Sequence, residues 1–246
     1  MNVGVVLVAA GSGQRLAAGG PKALVELAGR TLLAHAVDAL AAAGLRPPVV
    51  VHPPGARAAF EAALAGRPLA ALVPGGDTRT ASVAAGLTAL PEDVEVVAVH
   101  DAARALMPPE VLRACVAALT AGVVALAPAL PVADTLKRVD GEVVVATVPR
   151  DGLVGVQTPQ VFPRTVLTEV IELALAAGQP ATDDLALVEQ ALAAGRLTGR
   201  VVVVPGSVRG RKITFPEDLA LAAAWLAADA ADAADAADAS DAGVGA

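Results

Sequence analysis

Apolar residues along this chain fall into short unbroken runs separated by longer stretches of helical spacing. Residues 3–8, Val-Gly-Val-Val-Leu-Val, are apolar at every position rather than at alternate ones and are followed by Ala9, Ala10 and Gly11. That pattern predicts a strand buried on both faces of a parallel sheet. Similar runs at 49–51, 94–99, 123–127 and 201–204 predict further strands. Between them the spacing predicts helices over 31–43, 80–90, 108–121 and 164–177, with Gly44, Gly122 and Gly178 closing three of them. Strand and helix in alternation imply an α/β fold, a Rossmann-like and mostly parallel sheet flanked by helices.

Residues 134–156 break the rhythm. Two extended segments, 134–139 and 142–147, flank Asp140-Gly141, and no helix follows. Asp-Gly between extended segments is a strong hairpin signal. Such a hairpin has edges to satisfy, either on another subunit as a dimerisation arm or at the edge of its own domain; the pattern leaves both open. Beyond Trp225 the chain turns to Ala-Ala-Asp repeats. Alanine favours helix, yet nothing larger than Ala is there to dock it, so a domain over 1–228 is expected, with a frayed or disordered tail over 229–246 that has no catalytic role.

Composition narrows the function classes. Hydrophobic residues make up 55% of the 246 residues and charged ones 17%, with three Phe, one Trp and no Tyr, so Ala, Val and Leu must build the core. Few aromatic platforms and little positive charge argue against a binder of single-stranded nucleic acid. The net charge is −7, but five acids, Asp229, Asp232, Asp235, Asp238 and Asp241, lie in the tail and leave −2 on the rest. Net charge therefore names no partner. The single cysteine, Cys115, cannot form an internal disulfide and reads as a buried apolar thiol. No apolar run approaches the roughly 20 residues a bilayer requires, and no signal-peptide pattern opens the chain, so no membrane association and a cytoplasmic location are expected.

Candidate chemistry begins in the loop after the first strand. Ala9-Ala10-Gly11-Ser12-Gly13-Gln14-Arg15-Leu16 and then Gly19-Gly20-Pro21-Lys22 follow the strand's carboxyl end, where open α/β sheets bind ligands. Glycines let backbone amides approach a phosphate, and Arg15 and Lys22 supply the opposite charge. An ordinary tight turn is the plainer alternative. The dinucleotide fingerprint fails because Leu16 stands where its third glycine belongs. The P-loop pattern fails at Gly20-Pro21-Lys22-Ala23. Ser12 lacks the frame of a nucleophilic serine, and His35, His52 and His100 have no acid or thiol partner at a telling spacing; His35 reads as a packed or surface histidine.

This loop resembles the signature of sugar-phosphate nucleotidyltransferases. Further segments follow in an order similar to that of the 2-C-methyl-D-erythritol 4-phosphate cytidylyltransferase family: Gly75-Gly76-Asp77-Thr78-Arg79-Thr80-Ala81-Ser82-Val83, His100-Asp101-Ala102-Ala103-Arg104, Asp134-Thr135-Leu136-Lys137, Gln157-Thr158-Pro159-Gln160, Thr182-Asp183-Asp184 and the stretch from Arg211 to Leu219. The resemblance covers roughly residues 3–226. It implies transfer of the cytidylyl group of CTP to a polyol phosphate with release of pyrophosphate, a homodimer, and Mg²⁺ with no firm protein ligand.

It also implies roles residue by residue. Arg15 and Lys22 would grip the triphosphate, and Lys212 would stabilise the α-phosphate. Ala9, Ala10, Gly11, Gly13, Gly76, Asp77, Ser82 and Ala102 would contact CTP. Asp101, Arg104, Thr135, Arg150, Thr158 and Thr182 would contact the sugar phosphate, with Arg150 acting in trans from the hairpin. Read alone, Gly75-Gly76-Asp77 is a turn, Ser82 a helix-start residue, Asp101 and Arg104 a salt bridge, Lys212 a solvated lysine, and each threonine a cap or strand residue. Ala23 and Ala105 depart from the family's usual Gln and Pro without removing a group the chemistry uses. Two other functions share much of this pattern: cytidylyl transfer to another polyol phosphate such as ribitol 5-phosphate, and a nucleotide-binding module without activity.

Overall fold

The computed structural model describes every residue except Ser12, Gln14, Arg15, Ala17, Ala18, Gln179, Pro180 and 243–246, with side chains described through Asp235. Twelve strands and seven α-helices are assigned among the described residues. The first half runs β1 (Val3–Val8), β2 (Glu26–Leu27), β3 (Arg30–Thr31), α1 (Leu32–Ala42), β4 (Val49–His52), α2 (Arg57–Ala63), β5 (Ala71–Pro74), α3 (Arg79–Thr88), β6 (Val96–Asp101) and α4 (Pro109–Ala117). The second runs β7 (Val123–Pro131), β8 (Leu136–Asp140), β9 (Val143–Val148), β10 (Val154–Val156), β11 (Gln160–Pro163), α5 (Arg164–Ala177), α6 (Asp184–Ala193), β12 (Arg200–Pro205) and α7 (Pro216–Ala242).

Eight strands join in one sheet of order β10-β7-β11-β6-β1-β4-β5, with β12 pairing β7. β1, β4, β5 and β6 run parallel, as do β7 and β12; β10 and β11 alone run against their neighbours. Alternate residues of each strand feed the two faces. Val5, Leu7, Val50, Ala98, Leu126 and Val161 meet Leu33 and Val37 of α1 and Leu112 and Cys115 of α4. On the other face Val6, Val51, Val97, Val99, Ala127 and Phe162 meet Val83 of α3, Leu167 and Ile171 of α5, and Val188 of α6. Cover on both sides explains why the strands read as continuous apolar runs. Cys115 is buried as expected, and burial pushes its thiol up to about 12. No helix among the described residues is long and apolar enough to cross a membrane.

Local signals set the helix ends. Thr31 Oγ1 accepts from Ala34 N at 3.1 Å and caps α1, Thr78 does the same for α3 through Ala81 N at 3.1 Å, and Asp183 caps α6 through Ala186 N at 3.0 Å. α5 ends at Gly178 in the left-handed region, with φ of 62°. Gly86 lets α3 press onto the sheet, since a Cβ there would lie 2.4 Å from Val6 Cγ1.

The structure differs from the sequence expectation at one strand. The strand predicted over 94–99 starts later and includes Asp101. The hairpin turns at Asp140-Gly141 as predicted, and β8 and β9 form a two-stranded sheet of their own. The C-terminal helix α7 continues past Asp229 through Ala242. Alanine's high helix propensity and the ion pair of Asp229 with Arg209 at 2.6 Å extend it.

Candidate active site

Parallel pairing gathers the site. Val8 of β1 pairs with Val51 of β4 and with Asp101 of β6, and His52 of β4 pairs with Pro74 of β5. The loops leaving β1 and β5, and the end of β6, therefore meet at one edge of the sheet. β12 runs in the same sense and delivers the segment carrying Lys212 to that edge.

A cavity of about 430 Å³ opens there. Ala9, Ala10, Gly11, Gly13 and Lys22 form one wall, Gly76, Asp77, Thr78, Arg79 and Ser82 a second, and Asp101, Ala102, Ala103, Lys212 and Thr214 the third. In the first wall, Lys22 N donates to Gly11 O at 3.2 Å, so the loop doubles back. Gly13 has φ of 69°, and a Cβ on it would stand 3.0 Å from Gly20 O and 3.1 Å from Lys22 Cα. Only glycine meets both conditions. In the second wall Ser82 is buried, its hydroxyl donating to Thr78 O at 3.0 Å, and a Cβ on Gly76 would strike Ala81 Cβ at 2.6 Å.

Charges alternate from the third wall through Arg79 of the second to Asp184 outside the lining. Lys212 Nζ donates to Asp101 Oδ2 at 2.7 Å, Arg79 Nη2 stands 3.6 Å from Asp101 Oδ1, and Arg79 Nη1 stands 2.8 Å from Asp184 Oδ2. Burial would raise the Asp101 carboxyl, but Lys212 and then Arg79 outweigh it and hold it at about 2. For Arg79, burial works against the charge, and Asp184 and Asp101 outweigh that as well, holding the guanidinium above its ordinary value.

Behind this wall lies a second tier of contacts. Thr158 is buried, its hydroxyl accepting from Asp101 N at 3.0 Å and lying 3.0 Å from His100 Nδ1. His100 is fully enclosed, and burial lowers it to about 4, so it is neutral near neutral pH. Arg104 donates to Gly210 O at 2.8 Å and to Val156 O at 3.3 Å. Gln157 both donates to Ser207 O at 2.8 Å and accepts from Ser207 N at 3.1 Å. Together they tie the Lys212 segment to the sheet, and Asp218 holds its far side by accepting from Thr214 N and Phe215 N, each at 2.9 Å.

Of the residues singled out from sequence, the cavity brings together Ala9, Ala10, Gly11, Gly13, Lys22, Gly76, Asp77, Ser82, Asp101, Ala102 and Lys212. Arg15 lies outside the described residues. Arg104 and Thr158 stand behind the cavity wall with the partners given above. Thr182 is exposed one residue before the cap of α6, and Thr135 is exposed just before β8. Arg150, also exposed, donates to Ala133 O and closes the base of the hairpin. His35 is a packed histidine, its Nε2 2.8 Å from Leu27 O. Sequence reasoning missed Arg79, although its signal was there: a cation two residues after Asp77, in the first turn of a capped helix.

The family model for 2-C-methyl-D-erythritol 4-phosphate cytidylyltransferase, IspD, matches residues 3–228. The chain belongs to this family. A 2-C-methyl-D-erythritol 4-phosphate cytidylyltransferase from Saccharopolyspora erythraea is 47% identical over 234 residues, covering 92% of this chain and 100% of that protein. A bifunctional enzyme IspD/IspF from Clavibacter michiganensis is 46% identical over 236 residues; the match takes in 93% of this chain but 55% of that enzyme, so this chain spans about half its length. The crystal structure of the Thermus thermophilus 2-C-methyl-D-erythritol 4-phosphate cytidylyltransferase is similar with a TM-score of 0.74 at 37% identity, covering 92% of this chain and 98% of that one. The cavity is lined by glycine-rich backbone and by two lysines, Lys22 and Lys212.

Proposed function

We propose that this cytidylyltransferase joins CTP to 2-C-methyl-D-erythritol 4-phosphate, giving the cytidine diphosphate ester and pyrophosphate. A phosphate oxygen of the polyol attacks the α-phosphorus, the bond from that phosphorus to the bridging oxygen breaks, and the electron pair leaves with pyrophosphate. The observation that carries this reading is that Lys22 and Lys212 line one cavity. Two anions must be drawn together there, and transfers of this kind depend on positioning and on charge stabilisation rather than on a protein nucleophile.

Lys22, with Arg15 assigned the same role, holds the β- and γ-phosphates, while Lys212 moves to the charge that develops on the α-phosphate. Gly76, Asp77 and Ser82 read the cytosine edge, where a uracil would leave buried polar groups unpaired. Asp101 accepts from a sugar hydroxyl. The donors fit a Mg²⁺ ion held chiefly by triphosphate oxygens and water: Asp101 is the one buried carboxylate on the wall, and no three His, Cys, Asp or Glu side chains converge among the described residues. Such an ion would neutralise phosphate charge.

The hairpin supports a homodimer. Val139, Val143, Val144 and Val145 are 55–66% exposed on it, an apolar surface that a second copy can cover. Thr135 and Arg150 then reach the partner's polyol phosphate, with Thr182 on the near side. We read the location as cytoplasmic, consistent with a single buried thiol. Pyrophosphate release measured with CTP and either 2-C-methyl-D-erythritol 4-phosphate or ribitol 5-phosphate tests the assignment. Faster turnover of the former is expected; faster turnover of ribitol 5-phosphate moves the protein to a different substrate, and nucleotide binding without release in either case makes it a binding module.

A further inference from the structure

Asp184 has no place in the cavity lining, yet it is among the most costly residues in the molecule to bury. Its carboxylate is 1% exposed, and its Oδ1 meets no hydrogen-bond donor among the described residues. A buried carboxylate without full hydrogen bonding is tolerated only beside a close opposite charge. That charge is Arg79 Nη1 at 2.8 Å. The Gln160 side chain holds the backbone of Asp184 in place: its Oε1 accepts from Asp184 N at 3.0 Å and Leu185 N at 3.1 Å, while its Nε2 donates to the capping Asp183 at 2.8 Å.

The other arm of the same guanidinium points to Asp101 at 3.6 Å, and Asp101 gives its second oxygen to Lys212 at 2.7 Å. One ammonium cannot neutralise both Asp101 and a reacting phosphate. When Lys212 turns to the phosphate, Asp101 would be left as an uncompensated buried anion beside two further anions unless another cation stays with it. We propose that Asp184 is a positioning residue for cytidylyl transfer: it anchors Arg79 over Asp101, so that Arg79 keeps Asp101 neutralised while Lys212 leaves it for the substrate. Anchoring also keeps Arg79 from swinging into the cavity onto the triphosphate.

This inference rests on the proposed reaction, so the wild-type assay with CTP and 2-C-methyl-D-erythritol 4-phosphate is run first; failure there removes the reaction itself. With the wild type active, folded Asp184→Asn should lose about tenfold in kcat, the scale of a coupling within one charge network, with KM for CTP nearly unchanged. Arg79→Lys keeps the charge but cannot reach both acids, and should lose kcat similarly while melting close to the wild type. Combining Arg79→Lys with Asp184→Asn should cost little more than either alone, because each breaks the same link. Wild-type kcat in folded Arg79→Lys overturns the proposal even if Asp184→Asn fails to fold. Losses that multiply in the double variant, or a change confined to KM for CTP, overturn it as well.

Discussion

In the proposed reaction Lys212 owes its importance to what it must leave. Its ammonium donates to Asp101 at 2.7 Å, a pairing that an incoming phosphate would separate. Lys212→Ala should stay folded, because its side chain is 44% exposed, and should lose roughly 3–4 kcal/mol of transition-state stabilisation, seen as a fall of two to three orders of magnitude in kcat. The same variant should raise the Asp101 carboxyl from about 2, since burial then faces only the arginines; ¹³C titration of the side chain reads this directly. Much of this was legible residue by residue. Lys22, Asp101 and Lys212 stand out as charges beside glycine or strand ends in an apolar chain. For Arg104 and Thr158 only the fold shows that Arg104 donates to Gly210 O and Val156 O and that Thr158 accepts from Asp101 N.

At the scale of elements, packing rather than propensity decides. Gly86→Ala should gain about 1 kcal/mol of helix propensity, but the added methyl meets Val6 in the fully buried core, where overpacking costs typically 1–3 kcal/mol. Val6 is β-branched and cannot turn aside, so denaturant melts should show a net loss of about 1 kcal/mol. The β6–β11 contact brings its own pH dependence. His100 titrates at about 4 when folded against an ordinary 6.5, so the unfolded chain takes up the proton first. Stability from this group is fully present above about pH 6.5 and falls towards pH 4 by about 3 kcal/mol. Urea melts across that range should follow this course, and His100→Asn should flatten it. Helices with a threonine cap or a closing glycine, such as α1 and α5, were legible in the sequence, as was the Asp140-Gly141 turn. β11 was not: Gln-Val-Phe-Pro is short, ends in proline, and becomes a strand only because β6 and β7 lie on either side of it. α6 is absent from the helices predicted by spacing, although Asp183 stands at its cap and apolar residues follow at helical intervals.

For the whole molecule, the arm is a two-stranded sheet of its own and the cavity lies at an edge of the main sheet. Mixing Arg150→Ala with Lys22→Ala, each inactive alone, should restore part of the activity if a complete site borrows Arg150 from a neighbour; no recovery in verified mixed dimers removes the sharing. Lys22, Asp101 and Lys212 are drawn from the first tenth, the middle and the last fifth of the chain and are joined by parallel pairing that sequence order conceals. A ribosome that has read as far as Thr182 has already made the loop after β1 and the end of β6, yet β12 and the lysine beyond it do not exist. On the proposed reaction, no catalyst is present until β12 and the segment carrying Lys212 have been made, and a product released before them would have much of the sheet without the ability to turn over a single nucleotide.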